Sequence, residues 1–371
     1  MIVEVMPALT EEKSATSLDF AKKMMTDLVL ARSSNLDDKT QIINIVKEFL
    51  EELAFKCRMI NSSDSPALIA TKDETGLLLS GHLDTVPIGD GWSHAQGEIQ
   101  GTAFYGRGAA DMKGGCTAML MTAIELTDKE MPLSLAFTTD EETTMRGAEA
   151  IASDPIIRNA DAIIICEPTD LDIGVREKGL IQIGLSTTGK SSHAAMPQEG
   201  KNAIHSMLFV IDQFKDLMMT KGDPMDSMTL NVDVIRGGNK VNVLPDRCEA
   251  ELDVRTPATM SPEEALRLIR DRTKGLEFDL RIINKLDPII VSEESKIVKA
   301  VMSIRREAAL SSIAYASEMI MYIRQNANVI ALGPGDPRQA HVPDEHIDLN
   351  EIVEACRLYS TLCQKMRERP F

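Results

Sequence analysis

At 371 residues the chain is too long for one small core and fits two domains. Its 43% hydrophobic and 26% charged residues are ordinary for a soluble globular protein. A formal net charge of -17 argues against a nucleic-acid groove or an anionic membrane surface as partner, and suits solubility and the attraction of cations.

Residues 1 to 16 carry no pattern and read as an extension or a frayed first turn. Helical periodicity runs from Leu18 to about Ala31 and again from Asp37 or Asp38 to about Phe55. Apolar runs of strand length follow at Ala67 to Thr71, Leu77 to Gly81, Leu133 to Phe137 and Ala162 to Cys166. Helical segments at about Cys116 to Leu126 and Arg146 to Ala152 separate several of them, which predicts a largely parallel α/β sheet.

After Gly174 the texture changes. Strand patterns at Leu180 to Leu185, Met228 to Ile235, Cys248 to Val254 and Phe278 to Ile283 alternate with helical ones at Ala203 to Met218 and from Ser261, an N-cap followed by a proline and an acidic first turn. This β-α-β-β-α-β order predicts a ferredoxin-like α+β module. The first texture returns near Pro288, with a helix around Lys296 to Ala309, a strand at Val329 to Leu332 and a helix from Leu349. The expected organisation is therefore one domain over 1–176 and 288–371, with an inserted domain over 177–287.

The six cysteines (Cys57, Cys116, Cys166, Cys248, Cys356 and Cys363) show no CxxC spacing, and four lie in apolar stretches. They read as small buried hydrophobes in a reducing compartment. No basic start with an apolar h-region and no run of ~18 apolar residues is present, so a cytoplasmic location is expected.

Five separated fragments end in metal-binding side chains just after an apolar run or in a Gly-rich turn: His82-Leu83-Asp84, Asp111, Glu141-Glu142, Glu167 and His341. On a strand, His82 and Asp84 project to the same side, so the Asp84 carboxylate can hold one imidazole N–H while the other nitrogen binds metal. Asp111 occupies the third glycine position of an incomplete GxGxxG, which sets a dinucleotide site aside in favour of a carboxylate shared between cations. Neighbouring acids at Glu141 and Glu142 would repel without a counter-ion; metal removes that cost for Glu142 and leaves Glu141 free to accept a proton from water. Glu167 repeats the strand-then-acid pattern, and His341 lies in a loop fixed by Gly and Pro. Five such fragments in series point to a two-metal hydrolase.

Together, His-Leu-Asp-Thr-Val-Pro, Gly-Arg-Gly-x-x-Asp-Met-Lys-Gly-Gly, Thr-x-Asp-Glu-Glu, Cys-Glu-Pro-Thr and Gly-Pro-Gly with Ala-His resemble the M20 metallopeptidase family, in its acetylornithine deacetylase and succinyl-diaminopimelate desuccinylase branch. The resemblance implies a zinc exopeptidase-like domain, a mixed and mostly parallel sheet with helices on both faces, and an inserted lid and dimerisation domain in a homodimer. It implies two zinc ions bridged by Asp111, one completed by His82 and Glu167 and the other by Glu142 and His341, with cobalt a possible substitute. It further implies Asp84 behind the metals, Glu141 as general base, and a cis peptide between Asp111 and Met112. In the insert, His193 would stabilise the oxyanion, Arg255 would grip a substrate carboxylate, and Asn242 would add a lid contact. The implied partner is a small N-acyl amino acid or dipeptide. Ser317-Glu318 stands where the family often has Thr-Asp or Thr-Glu in a later substrate loop, so the acyl and side-chain preference stays open. His94, His205 and His346 fit no motif and read as surface or structural residues.

Three rivals remain in view. Gly184-Leu-Ser-Thr-Thr-Gly-Lys-Ser191 satisfies a P-loop pattern, but Leu185 to Thr188 read as continuing strand and Pro197 interrupts before the next helix, against an ATPase. A non-catalytic binding protein on the same scaffold would be expected to lack a ligand or the base. A metallo-dipeptidase or a glutamate-releasing carboxypeptidase would use the same residues.

Overall fold

The computed structural model describes residues 17–60, 65–72, 76–129, 131–218 and 224–368, so the expected N-terminal extension lies outside the described residues. The chain folds as two compact units. The first holds the described residues up to Val175, then Val291–Ser311 and those from Ser317 onward; the second holds those of Arg176–Ile290 with Ser312–Ala316.

The chain runs through α1 (Leu18–Leu30), α2 (Thr40–Glu52), β1 (Lys56–Ile60), β2 (Ala67–Lys72), β3 (Leu77–His82), β4 (Ile99–Gln100), β5 (Ala103–Tyr105), α3 (Gly114–Leu126), β6 (Leu133–Thr138), α4 (Arg146–Ala152), α5 (Pro155–Asn159), β7 (Ala162–Ile165) and β8 (Ile173–Glu177). Next come β9 (Gly179–Thr188), α6 (Ala203–Asp212), β10 (Thr229–Gly237), β11 (Arg247–Thr256), α7 (Pro262–Arg272), β12 (Asp279–Leu286) and β13 (Ile289–Ile290). The remainder comprises α8 (Lys296–Ile304), β14 (Leu310–Ile313), α9 (Met319–Tyr322), β15 (Val329–Ala331), β16 (His346–Asp348) and α10 (Leu349–Glu368).

In the first unit the strands line up as β1-β2-β6-β3-β7-β15-β8. The four central strands, β6, β3, β7 and β15, run parallel, while β1, β2 and β8 join antiparallel. Every residue of β3, β6 and β7 is buried, as the uninterrupted apolar runs require of strands covered on both faces. One helical group, α1, α2, α3 and α10, packs together, and α4 packs with α9 against β2 and β15. Helix α3 is apolar nearly all round and buries all but two of its thirteen residues. The buried Lys113, just ahead of it, donates to the carbonyls of Leu28 (2.9 Å) and Ala31 (3.4 Å) at the end of α1, where helical carbonyls lack partners. The chain leaves this unit at Val175 and returns at Val291, whose N–H donates to the Val175 carbonyl at 2.7 Å.

The second unit builds a four-stranded antiparallel sheet in the order β10-β11-β9-β12. With α6 and α7 this is the β-α-β-β-α-β succession read from the sequence. Ile181, Ile183, Met207, Phe214, Leu252 and Ile269 contribute to its core. Ser261 caps α7 in a reciprocal box with Glu264 and a proline at the first turn. Strand β9 extends through Thr188, where a P-loop would have to turn. Helix α6 stops at Asp212, short of the expected Met218. Beyond it the Gln213 and Phe214 N–H groups bond three residues back, so Phe214 is buried without α-helical geometry.

All six cysteines are free and five are buried, Cys57 being half-buried. Among the described residues no helix is long and apolar enough to cross a membrane.

Candidate metal centre

The parallel strands set the site. In register, His82 of β3 stands opposite Thr138 of β6, Ser80 opposite Ile165 of β7, and Ile165 opposite Ala331 of β15. The four strands therefore end along one edge, and Glu141-Glu142, His82-Asp84, Glu167 and the His341 loop leave from those ends, as open α/β sheets present ligand-binding residues.

His82 is buried and held on both its backbone groups by sulfur: its N–H donates to Met112 Sδ at 3.3 Å, and Cys116 Sγ donates to its carbonyl at 3.2 Å. Burial pushes the Cys116 thiol up to about 12, so it stays a protonated donor. Imidazole Nδ1 lies 2.9 Å from the Asp84 backbone carbonyl, which fixes it as the donor nitrogen and turns Nε2 toward the acids. The sequence reading gave that task to the Asp84 carboxylate, which lies 3.6 Å away, beyond hydrogen-bond reach. The carboxylate instead accepts the N–H groups of Glu141 (3.3 Å) and Glu142 (3.2 Å), so Asp84 braces both the histidine and the acidic pair.

Asp111 comes from the Gly-rich turn before α3. Gly108 there has φ +80°, and a Cβ on it would lie 2.5 Å from Thr85 Cγ2, so glycine is required twice over. The peptide between Asp111 and Met112 is cis. One Asp111 oxygen, Oδ1, lies 3.3 Å from His82 Nε2, and the other, Oδ2, 3.5 Å from His341 Nε2. His341, half-exposed, also lies 2.9 Å from a Glu142 oxygen. Glu167 Oε1 is 3.8 Å and Glu141 Oε2 4.0 Å from His82 Nε2. The structure thus gathers all five predicted ligand residues and Glu141 in one place. A ring nitrogen of His82 and oxygens of Asp111 and Glu142 lie within 4.8 Å of one another, close enough to share an ion.

The electrostatics show what such an ion would relieve. Burial pushes the Glu141 and Glu167 carboxyls well above their ordinary range, and mutual repulsion with Asp111 and Glu142 adds to it. Burial acts to lower His82, but Asp111 and Asp84 outweigh it and hold the imidazole well above its usual value. The bond to Glu142 raises His341. Glu167 Oε2 is buried with no hydrogen-bond partner. An orphaned carboxylate oxygen beside two histidines and three further acids is the donor set of a divalent transition-metal site, so the residues fit the group.

Sequence reasoning missed one acid and misplaced another. Glu345, fully buried, accepts from Arg107 Nη1 (2.7 Å) and from the N–H groups of Gly108 (3.0 Å), Ala110 (3.0 Å) and Asp111 (3.1 Å), and so shapes the turn that presents Asp111. Its only signal was its place four residues after His341. Glu318, expected in a substrate loop, is completely buried and accepts from Ser80 Oγ at 2.8 Å and from Thr138 Oγ1; it is not exposed to any substrate.

The remaining predicted residues lie in the second unit. His193 and Val243 form an antiparallel bridge, the Ala194 N–H donates to the Asn242 carbonyl at 3.0 Å, and His193 Nδ1 accepts the Ala195 N–H at 3.1 Å. Arg255 on β11 makes a two-pronged contact to Asp253 on the same strand, at 2.7 and 3.1 Å. Of the histidines without a motif, His94 stacks on Tyr105 at 3.9 Å and contacts Glu98, His346 contacts the Asp344 carbonyl, and His205 lies on α6.

The chain is similar to known proteins in both sequence and fold. Residues 78–365 match the sequence model of peptidase family M20/M25/M40. The chain is 30% identical to acetylornithine deacetylase of Aliivibrio fischeri, over 93% of this chain and 97% of that one. It is 26% identical to a probable succinyl-diaminopimelate desuccinylase of Staphylococcus aureus, over 88% and 92%. Its fold matches the crystal structure of a tripeptidase from Staphylococcus aureus with a TM-score of 0.79 at 18% identity, covering 95% of this chain and all of that one. By its sequence match and by relatives similar along nearly their whole length, the chain belongs to peptidase family M20/M25/M40, a family of metal-dependent hydrolases.

Proposed function

We propose that this hydrolase removes an acetyl or succinyl group from an N-acyl amino acid, using two zinc ions held by His82, Asp111, Glu142, Glu167 and His341. The observation that carries the two-ion reading is Asp111, whose two oxygens face two different histidines, His82 and His341. Deacylation is favoured by the likeness to proteins named for acetylornithine and succinyl-diaminopimelate. Cobalt suits the same ligands.

When bound, the ions polarise the amide carbonyl and make water more acidic. Glu141 takes the proton of the attacking water on a carboxylate oxygen as the new C–O bond forms. It then delivers that proton to the amide nitrogen as the C–N bond breaks, releasing carboxylate and amine. Asp84 holds the Glu141 and Glu142 backbone in place throughout. In the second unit, read as a lid and dimerisation domain, His193 donates to the carbonyl oxygen as it becomes negative, Arg255 binds the substrate carboxylate, and Asn242 adds a contact. Asp253 keeps the planar Arg255 fork aligned until substrate arrives.

The test combines metal analysis with a substrate panel on the purified protein: N-acetylornithine, N-acetyl-lysine, N-succinyl-diaminopimelate and simple dipeptides. The expected result is about two zinc ions per chain, loss of activity on chelation, and kcat/KM at least tenfold higher for one N-acyl amino acid than for any dipeptide. A dipeptide as best substrate would move the assignment to a dipeptidase, and a metal-loaded protein that cleaves no amide would overturn it.

A further inference from the structure

Beneath the acids that face the candidate ions lies one carboxylate with no part in that chemistry. Glu318 is fully buried, and its two oxygens are divided between two strands. Oε2 accepts from Ser80 Oγ of β3 at 2.8 Å, and Oε1 accepts from Thr138 Oγ1 of β6. The Tyr322 hydroxyl, one helical turn on, lies 3.4 Å from Ser80 Oγ.

The strands bridged are adjacent and parallel, with His82 opposite Thr138. Past the bridge, β3 continues into His82-Leu83-Asp84 and β6 into Thr139-Asp140-Glu141-Glu142. Backbone pairing continues one step further, the Leu83 N–H donating to the Thr138 carbonyl at 2.9 Å. Beyond that point the two ligand-bearing segments are linked by the Asp84 carboxylate. Glu318 thus closes from below what Asp84 closes from above. A carboxylate offers each hydroxyl its own acceptor oxygen, whereas the amide of a glutamine would set a donor NH2 against one of them.

We propose that Glu318 is a positioning residue for the metal centre: by clamping Ser80 to Thr138 it fixes the offset between the His82–Asp84 and Glu141–Glu142 segments. This rests on the metal-site reading above. Outer partners of metal ligands typically contribute about 10–100-fold to metal affinity or activity. A carboxylate that merely filled the core would change thermal stability alone.

The experiment compares Glu318→Gln, Glu318→Asp and Ser80→Ala with the wild type. It measures zinc affinity of the metal-free protein by competition with a chromophoric chelator, kcat and KM of the loaded protein, and Tm of the metal-free form. Glutamine offers one acceptor oxygen and a competing donor; aspartate keeps the charge but is one methylene short. For both, zinc affinity is expected to fall about 10–100-fold and kcat to fall with it, with KM within about threefold. Ser80→Ala removes one arm without touching a buried charge and should lower affinity by at least about threefold even if the Glu318 variants do not fold. Zinc affinity and kcat within twofold of wild type in the folded variants, whatever their Tm, would overturn the proposal. His82→Ala separates the two readings. If it binds zinc as tightly as wild type, the metal site itself is wrong; if it loses zinc while the Glu318 and Ser80 variants keep it, only the clamp is.

Discussion

Burial raises Glu141 and Glu167, the neighbouring acids raise His82 and His341, and the histidines hold Asp111 down, and together these set how the centre responds to pH. Glu141, Glu167, His82 and His341 all have their pKa raised, so without metal they hold protons to higher pH than isolated groups would. Ligands must shed those protons to bind. Zinc binding is therefore expected to release protons and to tighten as pH rises, measured by calorimetry in buffers of different ionisation enthalpy; binding with no proton release would contradict the assignment. Glu141→Gln should keep its zinc while kcat falls by about 10²–10⁴, the usual contribution of a positioned base. Turnover near wild type in that variant would remove Glu141 from the role. At this scale the sequence revealed much: strand-end acids and His-x-Asp spacing name the cluster. It could not show which oxygen of Asp84 meets His82, because two residues on, carbonyl and carboxylate reach the same side. Nor could it single out Glu345, since an acid in a Gly- and Pro-rich loop reads as solvated until four donors converge on it.

Among the elements, the contact between α3 and β7 leaves the least room. A Cβ on Gly115 would lie 2.0 Å from the Cys166 carbonyl oxygen, a rigid backbone atom immediately before Glu167. Gly115→Ala must therefore push the helix from the strand end. Overpacking of this kind typically costs about 1–3 kcal/mol. Both Tm and zinc affinity are expected to drop, since the displaced atoms carry one ligand; an unchanged Tm would show that the helix can shift freely. The long apolar strands and α3 were legible because burial on both faces leaves an uninterrupted apolar run. The small sheet of β16, β5 and β4 was not, as strands of two or three residues are too short to display a period. The edge strand β1, Lys-Cys-Arg-Met-Ile, hid behind its charges.

For the molecule as a whole, the change of texture after Gly174 was visible because a half-exposed antiparallel sheet alternates where a buried parallel one does not. What no periodicity discloses is how the chain's exit and return are joined. Val291 donates to Val175, and Glu177 stands opposite Ile289 in an antiparallel pair. The long excursion thus begins and ends at the two sides of an ordinary hairpin. Replacing residues 178–288 by Asn-Gly, a two-residue turn suited to such a pair, should leave a shorter protein that folds and binds zinc yet hydrolyses nothing, because it lacks the residues proposed to act on substrate, His193, Asn242 and Arg255. Circular dichroism and a zinc titration would check it, and loss of zinc binding would show that the first unit depends on its guest. Because the way out and the way back lie side by side, residues 178–288 form a stretch that can be cut out with a single two-residue graft, leaving of the second unit only Ser312–Ala316 and the few residues at the join.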